Sequence, residues 1–312
     1  TALTLGLTYA YLRYEARQAS GRAGGPTVPR RPLLAGRATL ADPRRLGLVA
    51  YGAVVLVVFV GPLASLLAES VTGPDGAFTT AYYGFLVNQQ AAAAAGTVRP
   101  LPAVWNSLVF GVGTLLVAVP MGVVVALVST RGGRGSRVAE AILSAPLAVS
   151  GIVVGLGLLQ SLVFGTTVLG QRIVVTGPVA VVAAHAVAAY PFVTRNVAPA
   201  LGDLDPRLAE AARSLGATRL RALLDVELPL VAGAVLAGAA FAFAISLGEF
   251  DSTVLLAEGV DAATMPVALE RYIGNRSIGP SLGPATAMGT VLLAVTAASF
   301  VAIDRLGGRW AP

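Results

Sequence analysis

The chain has 312 residues, 55% hydrophobic and 12% charged, with a net charge of +6 and a mean hydropathy of +0.76. Soluble domains carry about 25% charged residues, so this is the composition of a membrane protein. The sequence contains no Cys, which excludes disulfides and thiolate metal sites, and its 22 basic residues are all Arg, which excludes a lysine-bearing phosphate loop and lysine Schiff-base chemistry.

Residues 1–12 are apolar and end in Arg13-Tyr14-Glu15-Ala16-Arg17. They lack a basic start and a small-residue cleavage site, so they read as the tail of a preceding transmembrane helix and not as a signal peptide. With Thr1 first and Met121 the earliest Met, a fragment or processed product is expected. Residues 18–45 are rich in Arg, Gly and Pro, a basic linker. Six apolar runs follow, at 46–68, 103–130, 138–164, 174–199, 230–257 and 284–303, each expected to cross roughly 30 Å of hydrocarbon. The connections at 69–102 and 258–283 are polar and read as loops; the first holds an Ala91–Ala95 run. A short basic turn follows Arg131. The expected organisation is a helix tail and linker at 1–45, a transmembrane domain at 46–304 and a short tail at 305–312.

Placing the linker in the cytoplasm puts 18 of the 22 arginines on that side and leaves Arg99, Arg172, Arg271 and Arg276 on the other. This is the positive-inside pattern for six spans with both termini cytoplasmic, in a multi-pass cell-membrane protein. Because the arginines are not interleaved with aromatics on one surface, the charge is read as topology and nucleic acid is not an expected partner.

Ionisable groups inside spans are costly in hydrocarbon and mark functional candidates. Glu140 is set aside at a span edge. His185 stands alone on an Ala/Val-rich run; it is a translocation-pathway candidate with Glu249 and Asp251, weighed against a packing histidine, the preferred reading, and a single His without Cys makes no metal site. Glu249 and Asp251 are two residues apart, about 200° on a helix, so they share a line only if the helix breaks, which Gly248 permits. Either they line a translocation pathway suited to a cation, or they are structural or interfacial. Gly151 and Gly155 allow close helix approach, within the chain or across a dimer.

The stretch 205–229, between the fourth and fifth runs, reads DPRLAEAARSLGATRLRALLDVELP. Asp205 before Pro206 is a helix start, and Leu204, Leu208, Ala211, Ala212 and Leu215 recur at helical spacing. Gly216 stands where a glycine ends a helix, Thr218 can cap a second one, and Pro229 opens the next run.

This stretch resembles the EAA loop of ABC-importer permeases: Glu210-Ala211-Ala212, three residues, Gly216, nine residues, Val226, Glu227, then Leu228-Pro229, with Val226 where an Ile is usual. The resemblance covers about residues 105–304 and implies an all-α integral membrane fold of MetI-like type, six transmembrane helices with a cytoplasmic coupling-helix loop. By that resemblance Asp205, Glu210, Ala211, Ala212, Gly216, Leu228 and Pro229 meet the ATPase. Residues 145–159, 246–250 and 265–274 resemble thiamine and iron(III) importer permeases, many of which are fused double permeases, so this chain is expected to match a second half.

What the resemblance implies is a permease subunit that is not itself an enzyme. Its partners would be ABC ATPase subunits, a second permease half, an extracytoplasmic substrate-binding protein and membrane lipid. It needs no cofactor of its own, ATP and Mg being bound by the ATPase. Substrate would be small and cationic, such as thiamine or iron(III). Two other readings are a secondary transporter coupled to an ion gradient through His185, Glu249 or Asp251, and a membrane enzyme pairing His185 with a carboxylate; no nucleophile or metal motif accompanies the second.

Overall fold

The computed structural model describes residues 43–88, 98–131, 142–257, 262–274 and 282–307. The helix tail at 1–12, the basic linker up to residue 42, the Ala91–Ala95 run, the turn after Arg131, Glu140 and Arg276 lie outside the described residues, while the linker's last three residues open the first helix. In chain order the elements are α1 (Pro43–Glu69), α2 (Ala81–Val87), α3 (Pro100–Arg131), α4 (Gly151–Leu158), a hairpin of β1 (Thr166–Val168) and β2 (Gln171–Ile173), α5 (Pro178–Gly202), α6 (Pro206–Ser214), α7 (Arg219–Ala222), α8 (Leu228–Leu230), α9 (Ala232–Gly248), α10 (Thr253–Leu256), α11 (Met265–Gly274) and α12 (Gly283–Gly307). The protein is mainly helical, and among the described residues α1, α3, α5 and α12 are long and apolar enough to cross a membrane. A fifth crossing forms if the segment 219–230 and α9, which meet at 79°, count as one bent span.

The run at 138–164 is not the single span its composition suggests. A 3-10 turn at Ala145–Ala148 follows Ser144, then Val149 and Ser150 are extended, with ψ of 138° and 141°. Only then does α4 start, running on through a π-helical turn at Leu159–Val163. Pro146 lacks an N–H and its ring opposes a helix continuing through it, so the chain breaks here. From Gly151 to Val163 the rise is roughly 20 Å at 1.5 Å per residue, short of a full crossing. Six apolar segments are consistent with this architecture, one of them short and broken.

At the centre lie α3, α5 and α9, held close by glycines. A Cβ on Gly122 of α3 would stand 2.4 Å from the Val193 Cβ of α5, and one on Gly238 of α9 would stand 2.9 Å from the Val193 Cα. Thr194 Oγ1 also reaches the Gly122 carbonyl oxygen at 3.1 Å. Thr114 and Ser246 join α3 to α9 by a hydroxyl–hydroxyl contact of 3.1 Å. Outside this trio, α12 packs on α9 and α11, and α1 lies outermost against α12, its Leu66 over Gly289.

Two connections expected as polar loops hold short helices that pack on the core instead. In α11 the residues Met265, Val267, Ala268 and Tyr272 are buried. Ser107 Oγ accepts from the Met265 N–H at 2.8 Å, Asn106 Nδ2 donates to the Ala263 carbonyl at 3.0 Å, and the Tyr272 hydroxyl donates to the Val98 carbonyl at 2.6 Å. Burial pushes the Tyr272 phenol up from its ordinary range. In the other connection α2 sets Phe85 edge-on against Tyr272, with centroids 6.2 Å apart. Average polarity hid these helices, because each has one apolar face and is too short to dominate its loop.

Candidate functional site

The loop between α5 and α9 is a helix, a sharp bend and a second helix. Asp205 accepts from the Arg207 N–H at 3.0 Å and Pro206 occupies the first turn of α6. At its far end the Gly216 N–H bonds the Arg213 carbonyl at 3.0 Å and the Ala217 N–H bonds the Ala212 carbonyl at 3.1 Å. That pair is the Schellman ending, and it needs a left-handed residue at Gly216, whose φ is +92°. The four-residue step from Ala212 to Gly216 is therefore the step from third-last helical residue to left-handed cap. Thr218 then accepts from the Arg221 N–H at 3.2 Å and starts α7.

The second helix runs from α7 through a π-helical turn at Leu223–Glu227 into α8, where Pro229 follows Leu228, and meets α9 at Val231. Glu210, Ala211, Gly216 and Pro229 are exposed, Ala212 and Leu228 are half-buried, and Leu215 beside the bend is 90% exposed. Three ordinary capping devices thus present a rigid projection with an apolar tip. Behind it, Val119, Val123 and Leu127 of α3, Leu223 and Leu228 of the second helix and Val235 of α9 line an open apolar cavity of about 600 Å³.

Glu227, between Val226 and Leu228, is buried and forms an ion pair with Arg131, the last residue of α3. A buried carboxylate has to be paired to stay charged. Sequence reasoning missed this tie; the available signal was an acid flanked by Val226 and Leu228 at the edge of a span.

Glu249, Asp251 and His185 lie around a second feature, a break after Gly248. Glu249 is extended, with ψ of 117°, and the chain resumes helix at α10. The break overcomes the 200° separation and puts both carboxylates on one side: a Cβ on Gly151 would meet Asp251 Oδ2 at 3.2 Å and Glu249 Oε1 at 3.3 Å. Glu249 Oε1 accepts from the Ser252 N–H at 3.0 Å and the Ser252 hydroxyl at 2.9 Å. Gly155 lies over Ser252, whose Cα a Cβ there would approach to 2.8 Å. The two glycines of α4 therefore pack within the chain, on the break.

His185 of α5 is fully buried, and its ring bonds hydroxyls in place of either carboxylate. It spans the break, with Nδ1 2.8 Å from Ser246 Oγ and Nε2 2.7 Å from Thr253 Oγ1. The Thr253 hydroxyl spends its proton on the Glu249 carbonyl at 3.1 Å. Thr253 must then accept from Nε2–H, which leaves Nδ1 to accept from Ser246 and Ser246 to accept from Thr114. Every polar atom in this relay has a partner with a neutral ring. The ring's hydrogen bonds are thus satisfied within the core, and no group of three or more His, Cys, Asp or Glu suited to a metal occurs among the described residues.

The comparisons with known proteins agree with this architecture. A family model described as binding-protein-dependent transport system inner membrane component matches residues 118–311. Over 127 residues the chain is 35% identical to the sulfate transport system permease protein CysT of Salmonella typhimurium, a match covering 41% of this chain and 45% of that one. It is 33% identical over 211 residues to a probable molybdenum ABC transporter permease protein of Haloferax volcanii, covering 66% and 76%. In fold it is similar to a chain of a bacterial alginate ABC transporter solved with an alginate pentasaccharide-bound periplasmic protein, at a TM-score of 0.66 and 17% identity over 88% of this chain and 98% of that one. The expected likeness to thiamine and iron(III) permeases is thereby corrected, since these relatives are named for sulfate and molybdenum. With the matched region running from the middle of α3 to the end of the chain, through the whole loop, the chain belongs to the binding-protein-dependent transport system inner membrane components.

Proposed function

We propose that the chain is the permease subunit of an ATP-driven importer and carries a small tetrahedral oxyanion of the sulfate and molybdate class. The observation that carries the first part is the capped helix–bend–helix of residues 205–229, a rigid exposed projection within the family-matched region. In this reading α6 and Leu215 seat in a cleft of a partner ATPase on the cytoplasmic face, with Glu210 as the charged contact and Gly216 as the fixed bend. Closure of two ATPase subunits around ATP and Mg moves the loop as a lever, and α9, joined to it at Val231, tilts with the rest of the core. A second permease half, fused or separate, completes the pathway, and a binding protein delivers substrate from outside. Rigid-body rocking around a central site is the general means of alternating access.

The oxyanion reading rests on the relatives' names and on chemistry at the break. Glu249 is occupied by two donors from Ser252, so its carboxylate has a structural task and does not call for a cationic cargo. Family membership also speaks against the ion-gradient alternative. Proteoliposomes holding the permease with its cognate ATPase and binding protein test the proposal directly. ATP-dependent uptake of labelled sulfate or molybdate, lost with Glu210→Arg, is expected. Uptake that follows an ion gradient without ATP would overturn the importer reading, and uptake of thiamine or iron(III) in place of the oxyanions would overturn the cargo.

A further inference from the structure

The hairpin between α4 and α5 ends in a two-residue turn, Leu169-Gly170, closed by the pair Val168 and Gln171. Both turn residues have positive φ, +51° and +81°. Glycine or asparagine suits such positions, and a leucine there is strained by its Cβ. Leu169 is also 101% exposed, so among the described residues nothing covers it. The position thus combines a backbone conformation leucine resists with apolar area that folding leaves uncovered. Neither is offset among the described residues, so the favourable contact lies outside them.

The rest of the hairpin says what that contact is. Directly opposed residues share a face, so Thr166, Val168, Gln171 and Ile173 lie on one side and Thr167 and Arg172 on the other. Val168 and Ile173 are about half exposed, at 46% and 51%, and Phe164 and Val174 beside the strands are exposed too. Arg172 turns back along the second face, where its Nε donates to the Phe164 carbonyl at 3.0 Å. The root is fixed to the end of the α4 segment, with the Thr166 hydroxyl donating to the Ser161 carbonyl at 2.8 Å and the Val175 N–H to the Leu162 carbonyl at 2.9 Å. Five residues beyond β2, at Pro178, α5 begins its crossing.

The hairpin therefore stands at a membrane surface with little reach. Three-residue strands extend about 10 Å, against a headgroup layer of roughly 5–7 Å on each side of the hydrocarbon. Residues 164–177 contain one Arg and no acidic residue, so nothing there repels an anionic lipid surface. We propose that this hairpin is a lipid anchor, lying over the headgroup–acyl boundary with Leu169, Val168 and Ile173 in the bilayer and Arg172 and Thr167 toward water.

Because the chain has no Cys, single labels can be placed without background. Leu169→Cys and Thr167→Cys, each carrying a nitroxide, would be compared in the full chain reconstituted into phosphatidylcholine–phosphatidylglycerol vesicles. Collisions with oxygen report hydrocarbon and collisions with a nickel chelate report water. The expected result is a severalfold higher oxygen-to-nickel ratio at 169 than at 167. Equal nickel access at the two positions overturns the anchor. So does a label at 169 that is water-accessible in vesicles and becomes shielded only when a binding protein is added, which would make the tip a protein contact.

Discussion

Arg131 and Glu227 form an ion pair of unequal burial, the Arg131 side chain being 51% exposed and that of Glu227 6%. The pair ties the end of α3 to the second helix of the loop, just before the bend at Val231. The two truncations are therefore not equivalent. Glu227→Gln leaves an arginine that water can solvate, whereas Arg131→Ala strands a buried carboxylate, at the lower end of about 3–5 kcal/mol because the lost partner was half-exposed. Thermal unfolding in detergent is expected to rank Arg131→Ala well below Glu227→Gln. Equal losses would show that the difference in burial between the two side chains does not set the cost of breaking the pair.

At Gly216 a side chain would have room, since a Cβ there would meet nothing within 4 Å, but the backbone conformation resists one. Gly216→Val is expected to cost about 1–2 kcal/mol of local stability, the usual left-handed penalty, and to shift the α6–α7 angle without unfolding the spans. ATPase binding in a pull-down is the measurement, with the membrane-extracted permease still monodisperse. Gly216→Asn should be milder, since asparagine tolerates this region. Identical behaviour of the two variants would remove the geometric explanation.

His185 is the sole histidine of the chain, so its imidazole nitrogens can be read by ¹⁵N NMR without assignment. The donor chain from Thr114 to Glu249 demands a neutral ring protonated at Nε2. Observation of the Nδ1–H tautomer would reverse the direction of donation and refute this order of bonds. Ser246→Ala should leave Nδ1 an unpaired buried acceptor and destabilise by about 1–3 kcal/mol.

For Glu249 the decisive pair of variants is Glu249→Gln and Glu249→Leu. The glutamine keeps an oxygen for the two Ser252 donors and is expected to leave transport and stability near wild type. The leucine removes the acceptor and should loosen the break by about 1–3 kcal/mol. Transport lost with glutamine while thermal stability holds would restore the carboxylate to the pathway.

The loop was legible in the sequence through its capping chemistry, because Asp205-Pro206, Gly216 and Thr218 act on backbone a few residues away. Gly248 likewise marked the break that turns Glu249 and Asp251 to one side. What stayed hidden depends on partners far along the chain. Tyr272 needs Val98, Met265 needs Ser107, and His185 needs hydroxyls on α9 and α10; no local pattern reveals them. The 138–164 run misled because hydropathy measures partition and not backbone continuity. The cationic reading of the carboxylates had a related weakness, since in the fold Glu249 accepts both Ser252 donors at a turn, a task that an apolar stretch with two acids does not reveal.

Val193 sits between Gly122 and Gly238 with no space for even a methyl group on either side. Gears meshed this tightly cannot slip past one another by a tooth. In the proposed transport cycle the α3–α5–α9 contact is therefore expected to be spared and the three helices to turn together, as one block bordered by α1 and α12. Adding a methyl group at residue 122 or 238 would then disturb the block itself, while the same addition on the outermost helix, at Gly52 or Gly61 where nothing lies within 4 Å, would leave the mechanism intact.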